Sequence, residues 1–297
     1  MNEFYTDYAE YMSRFFPGKV QKISVNLGTG CPNRDGTIGT GGCTYCDNSS
    51  FTPAYCREGL SPARQAEAGK AFFARKYPKM RYIVYFQAYT STYRKSADEL
   101  RDIYTQALDV DGVVGLAIGT RPDCLPDETL DMLAAINREK PVFVELGVES
   151  LDDTTLRMVN RGHTAAQSID AIRRLAAAGL HTGVHLIAGL PGESLDAALN
   201  TVERICRTPV ESIKIHHLQV LAGTRLHTLW REGKIEIPSF GIDQYLDFCV
   251  KVVETVPRHI AIERFLASSP PLKVISPKWG MKNHEFTNLL INKLRQR

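Results

Sequence analysis

The chain has 297 residues, 43% of them hydrophobic, and a net charge of +3, which is enough for one α/β domain with a full core and a small appendage. No apolar run approaches the roughly 18 residues that cross a bilayer and nothing reads as a signal peptide, so a cytoplasmic protein with no membrane partner is expected. Seven cysteines are too few and odd in number for a disulfide framework.

The predicted elements alternate in chain order. Phe4, Tyr8, Tyr11 and Phe15 recur at helical spacing until Phe16-Pro17-Gly18 stops the helix. This aromatic stripe is expected to pack against the rest of the fold. Strands are read over Val20–Leu27, Arg81–Phe86, Gly112–Ile118, Val142–Val148, His181–Ile187 and Ser212–Val220. Helices between them are read over Ser61–Tyr77, Ser96–Leu108, Pro126–Asn137, Thr164–Ala178 and Ser194–Arg207. Right-handed crossovers wind such units into a parallel sheet. The predicted fold is α/β, a curved six-stranded partial (β/α)6 TIM-type barrel over 19–234, preceded by the aromatic helix of 1–18. Residues 235–297 form a small α/β extension: a helix over Asp243–Val256, a short strand over His259–Glu263 and a final helix over Asn283–Arg297. From Lys273 to Arg297 six basic residues face Glu285 alone, a pattern compatible with nucleic acid but more commonly a solvated basic helix face.

Between the first strand and the first crossover helix lies CPNRDGTIGTGGCTYC, which gathers Cys31, Cys43 and Cys46 within sixteen residues. Two residues separate Cys43 from Cys46, the spacing at which one turn points two sulfurs at a common centre. The glycines between Cys31 and Cys43 let the loop fold back. Structural zinc asks for a fourth ligand, for which only Cys56 is at hand, and catalytic zinc with three cysteines and water stays open. A cubane with three cysteine-bound irons and one open iron fits best.

Strand ends carry polar or glycine-rich segments: Gln87-Ala88-Tyr89-Thr90, Arg121-Pro122-Asp123-Cys124, Glu149-Ser150 and Gly189-Leu190-Pro191-Gly192. In α/β barrels this edge builds the site. Alternation sharpens the prediction, since Glu145, Gly147 and Glu149 share the face opposite Val142, Val144, Leu146 and Val148, while His185, Lys214 and His216 also point inward. Cys124 and Lys214 are the candidate catalytic groups. Each has a plain alternative: Cys124 as a buried apolar thiol, Lys214 as counter-ion of Glu145 or Glu149. His185 and His216 read equally well as satisfied core histidines.

The cysteine segment with Tyr45 before its last thiol resembles the cluster loop of radical S-adenosylmethionine (SAM) enzymes in an expanded Cys-x11-Cys-x2-Cys spacing. More narrowly, the chain resembles the YhcC-like family over nearly its whole length. TRPDCLP, ELGVESLDDTTLRMVNRGHT, AGLPGES and IKIHHLQVLAGTRLHTLWREGK are also similar to the radical SAM domain of the elongator catalytic subunit.

The resemblance implies that Cys31, Cys43 and Cys46 hold a [4Fe-4S] cluster whose open iron binds SAM, reduced by a partner such as flavodoxin or ferredoxin. It implies that Tyr45 lies near the adenine, that Gln87, Ala88, Tyr89 and Thr90 meet the SAM amino group, and that Glu149 and Ser150 approach the ribose. Gly189, Leu190 and Gly192 would reach the adenine, flanked by Leu218, Gln219 and Val220, with Arg121 or Arg161 on the carboxylate. The implied function is a stand-alone radical SAM enzyme acting on RNA, with tRNA as the expected substrate in its family context. The same chemistry on a small metabolite is the alternative, and a non-catalytic iron–sulfur or zinc protein is the alternative of another class.

Overall fold

The computed structural model describes residues 2–56, 59–74 and 80–297. Six parallel strands run in chain order: β1 Val20–Val25, β2 Arg81–Phe86, β3 Val113–Thr120, β4 Val142–Glu149, β5 His181–Ala188 and β6 Ser212–His217. The helices α2 Pro62–Ala74, α3 Ala97–Leu108, α4 Asp127–Asn137, α6 Ala165–Ala177 and α7 Leu195–Cys206 follow the strands in turn, after a short α1 at Tyr8–Met12. The expected end of the first crossover helix, at Tyr77, lies outside the described residues. Each strand after β1 pairs parallel with its predecessor, with register shifts after Tyr82 and Gly147, giving the curled parallel half-barrel that the alternation predicts.

The strand faces divide as β-periodicity requires. Val142, Val144, Leu146 and Val148 are fully buried in the main core, on the opposite face of β4 from Phe143 and Glu145. The floor of the lumen is apolar. Tyr11 and Phe15 meet Phe143 edge-on, at ring separations of 6.1 and 5.1 Å, so the N-terminal aromatic stripe closes the bottom of the half-barrel.

Three features depart from the sequence reading. The sheet has seven strands, because β8 Ala261–Arg264, from the extension, pairs parallel with β6. An edge strand leaves a row of backbone groups unpaired, and this short strand covers that of β6. The expected Ser212–Val220 strand ends at His217, and β7 Val220–Leu221 pairs antiparallel with β9 Val274–Ser276. Two helices inside motif stretches were not foreseen, α5 Asp153–Met158, capped by the Asp152 carboxylate, and α8 Arg225–Arg231, capped by Thr224. The extension adds α9 Ile242–Thr255 and α10 Asn283–Arg295, which pack together on the outer core. Among the described residues no helix is long and apolar enough to cross a membrane.

Candidate active site

The loop after β1 folds back on itself through its own backbone. The Gly42 N–H reaches the Asn33 carbonyl at 2.7 Å and the Cys46 N–H reaches the Cys43 carbonyl at 3.1 Å. Gly39 is required here, because a Cβ would stand 2.3 Å from Asn33 Oδ1. Asn33, fully buried, donates to Cys43 Sγ at 3.7 Å and also bonds the Asn160 carbonyl, tying the loop to the segment after α5. The Thr44 N–H to Val159 carbonyl bond, at 2.9 Å, adds a second tie.

These contacts set Cys31, Cys43 and Cys46 on the wall of one cavity of about 540 Å³ that opens at the carboxyl ends of the strands and extends into the lumen. The structure brings Tyr45, Gln87, Tyr89, Thr90, Arg121, Glu149, Arg161, Lys214, Leu218 and Gln219 to the same wall. Tyr89 (φ 57°) and Glu149 (φ 69°) take left-handed conformations at the ends of β2 and β4. A non-glycine residue there is strained, and both instances face the cavity.

Arg161 is the hub of the upper cavity. Its Nη1 donates to Cys43 Sγ at 3.5 Å, its Nη2 bonds the Gly147 carbonyl, and Glu149 lies 3.5 Å away. Burial works against its charge, but Cys43, Tyr45 and Glu149 outweigh burial and hold it charged well above the ordinary guanidinium range. Arg121, 2% exposed, grips Asp123 with two 2.8 Å bonds and leaves Nη1 without a partner. Arg161 Nε, the Tyr45 hydroxyl and Gln219 Oε1 are likewise buried and unpartnered. Orphaned polar atoms of both polarities on one wall are what a ligand with carboxylate, amine and hydroxyl groups would satisfy.

Deeper in the lumen, Glu145 accepts from the Tyr85 hydroxyl at 2.7 Å, His185 Nε2 at 2.6 Å, Lys22, and Lys214 at 3.5 Å. Glu263, from β8, accepts from Lys22 at 3.0 Å and Lys214 at 3.1 Å. Burial alone would protonate both carboxyls, but Lys214 and Lys22 win, keeping Glu145 well below the carboxylate range and Glu263 down to about 2. His216 beside them is held neutral by burial, reinforced by the Lys214 charge. Lys214 is therefore the counter-ion of Glu145 and Glu263. Glu149 pairs with Arg161 instead, a correction to the alternative that offered Glu149 to Lys214.

Seven predicted residues are kept off the cavity wall. Ser150 donates to Glu193 Oε1 at 2.6 Å. Gly189 faces Phe240, whose ring would lie 2.5 Å from any Cβ, and a Cβ at Gly192 would stand 3.1 Å from the Met158 methyl. These glycines serve close packing of protein on protein. Leu190 and Val220 are core, packed with Val159, Leu218 and Leu226, and Ala88 is buried. Cys124 is buried, with its thiol beside Asp123 at 3.8 Å and pushed up to about 12 by burial. A hydrogen-atom donor must reach the reacting group, and the wall does not include this one. The sequence reading missed Lys22, Tyr85 and Glu263. Alternation applied to β1 and β2 exposes the first two, whereas Glu263 needed the seventh strand.

Among the described residues, no three His, Cys, Asp or Glu side chains gather closely enough to hold a single metal ion. A cubane spreads its cysteine ligands over separate irons, so three thiols along one wall suit it better than they suit one ion. The donor set, three sulfurs on one wall with a guanidinium and an amide N–H donating to that of Cys43, fits such a cluster.

Fold and site together define a half-barrel built around three thiols, and comparison with known proteins agrees. The Radical SAM superfamily profile matches residues 25–205 and that of the Radical_SAM C-terminal domain matches 210–296. Protein YhcC of Escherichia coli K12 is 36% identical over 269 residues, covering 90% of this chain and 85% of that protein. The chain belongs to the radical SAM superfamily of enzymes, whose cofactors are a [4Fe-4S] cluster and SAM, and within it to the YhcC-like family. A tRNA uridine(34) acetyltransferase of Methanocaldococcus infernus is 25% identical over 180 residues, 60% of this chain and 32% of that protein. The structure of the Methanocaldococcus infernus Elp3 has a TM-score of 0.72 at 17% identity, over 95% of this chain and 64% of that one, which is a likeness of fold.

Proposed function

We propose that this enzyme binds its cluster through Cys31, Cys43 and Cys46 and cleaves SAM reductively in the cytoplasm, with a tRNA as substrate. The observation that carries the cofactor part is the cavity wall on which those thiols stand beside the unpartnered Arg121 Nη1, Arg161 Nε, Tyr45 hydroxyl and Gln219 Oε1. When bound and reduced by a carrier such as flavodoxin or ferredoxin, the cluster and SAM supply a 5′-deoxyadenosyl radical that abstracts hydrogen. The chain's own residues bind and shield. Arg121 or Arg161 takes the SAM carboxylate, Gln87, Tyr89 and Thr90 offer polar groups to its amine, and Glu149 to its ribose. Residues 19–234 supply this barrel. Residues 235–297 close its open edge.

The substrate class rests on the partial match to the tRNA uridine(34) acetyltransferase. Acetyl transfer is not carried over, since the chain matches 32% of that protein. The basic tail adds little support: Lys273, Lys293, Arg295 and Arg297 are paired with Asp47, Asp247, Glu3 and Glu254. Anaerobic reconstitution with reductant and SAM tests the first part, with 5′-deoxyadenosine and methionine as expected products. Nucleoside profiles of tRNA from cells with and without the gene test the second. An unchanged profile points to a small metabolite instead.

A further inference from the structure

The extension reaches the cysteine loop through the Lys273 side chain. Lys273 Nζ donates to Asp47 Oδ2 at 2.7 Å and to Ser49 Oγ at 2.6 Å. Asp47 directly follows Cys46. Its carboxylate also accepts from the Ser49 N–H at 3.1 Å and the Ser50 hydroxyl at 2.7 Å, capping the turn over 48–50. Within that turn Asn48 Oδ1 accepts from the Tyr89 N–H at 3.0 Å, at the strained end of β2. Lys273 is itself fixed, since its carbonyl accepts from the Ala222 N–H at 2.8 Å beside the β7–β9 pairing.

We propose that Lys273 is a positioning residue for Cys46, and that through it the C-terminal extension holds the cysteine loop in the geometry that retains the cluster. The inference rests on the reading that Cys31, Cys43 and Cys46 hold that cluster. Exposed ion pairs usually contribute little. This one differs in having two oxygen acceptors and a backbone-anchored lysine, and it acts where a displacement of the Asp47 backbone moves a thiol one residue away. Arg34 Nη2 donates to the Cys46 carbonyl at 3.3 Å, so cations hold both the carbonyl of the thiol's residue and the carboxylate of the residue after it. Ala267, Ser268 and Ser269 also line the cavity, so the segment that carries Lys273 is already a wall of the site.

The test compares the full-length reconstituted protein with Lys273→Met, Lys273→Arg and Lys251→Met, the last breaking an exposed extension pair to Asp196 far from the loop in sequence. The readout is the lifetime of the cluster absorbance under an iron chelator, with thermal midpoints measured in parallel. Lys273→Met should shorten the lifetime roughly three- to tenfold at an unchanged thermal midpoint, less than the ~10–100-fold that loss of a direct partner of a metal ligand costs. Lys273→Arg should restore it and Lys251→Met should leave it at the parent value. A parent-like lifetime for Lys273→Met, or equal shortening by Lys251→Met, overturns the proposal. A Cys43→Ala protein that keeps its cluster overturns the underlying ligand assignment instead, which separates the two failures.

Discussion

Arg161 donates to the Cys43 sulfur at 3.5 Å across 118 residues of sequence. The loop that carries the thiol follows β1 and the arginine follows α5, so the contact exists only because the half-barrel curls both strand ends onto one cavity. Arg161→Met removes a donor to the thiolate, a partner of Glu149 and an orphaned Nε at once. Iron retained after reconstitution and equilibrium SAM binding should both fall, by roughly 10- to 100-fold for a lost partner of a metal ligand. Arg161→Lys should not restore them, because one ammonium cannot reproduce the guanidinium fork. Parent-like iron and SAM binding in either variant would contradict this role.

Much of this site was legible in the sequence because its carriers are local. Three thiols within sixteen residues and polar residues at strand ends are read from spacing and period alone. Ser150, Gly189, Gly192 and Cys124 lie off the cavity wall for a shared reason: a small residue at a strand end serves close protein packing as readily as ligand approach, and only the neighbour decides. For Gly189 that neighbour is Phe240, 51 positions on by subtraction of residue numbers. Glu263 was illegible because its partners Lys22 and Lys214 come from strands at distant points of the chain, joined only when β8 takes the open edge.

Glu145, 4% exposed, holds two lysines, a tyrosine and a histidine. Glu145→Gln leaves Lys22 and Lys214 sharing Glu263, and removing one member of a buried ion cluster costs about 3–5 kcal/mol. Equilibrium denaturation should register that loss, and a change under 1 kcal/mol, on the order of an exposed pair, would refute a buried role. The acid limb carries the sign. The folded pKa of Glu145 lies below the ordinary 4.5 and that of Glu263 falls to about 2, so their stabilisation is complete above pH 4.5 and is lost as pH falls toward 2. The variant's stability should fall less steeply over that window.

His217 gives a second, separate acid limb. Its Nδ1 accepts from the Ala267 N–H at 3.3 Å and its ring stacks on Trp279 at 4.4 Å, and burial lowers its pKa from 6.5 to about 3. A histidine kept neutral in the folded state takes up a proton more readily on unfolding. Its contribution is therefore full above pH 6.5 and declines as pH falls toward 3, at roughly 1.4 kcal/mol per pH unit for one proton. His217→Phe keeps the stack and should flatten the slope between pH 6.5 and 4.5, above the range in which the carboxylates act. An unchanged slope would mean that His217 does not titrate there.

Tyr89 separates stability from function. It stands at φ 57° at the end of β2, its N–H bound to Asn48 and its ring 5.9 Å below the Arg34 guanidinium, on the cavity wall. A left-handed conformation costs a non-glycine residue about 1–2 kcal/mol, and glycine adopts it without that strain. Tyr89→Gly removes the strain but also the stacked ring and its share of the wall, while glycine adds entropy to the unfolded chain. Denaturation should therefore show near-neutral or slightly raised stability, within about 1 kcal/mol of the parent, whereas Tyr89→Ala keeps the strain without the ring and should be the less stable of the two by about 1 kcal/mol. SAM affinity should fall in both, because both lose the ring. If Tyr89→Gly binds SAM as the parent does, the strained backbone at this strand end serves the fold alone and the ring has no part in the cofactor wall.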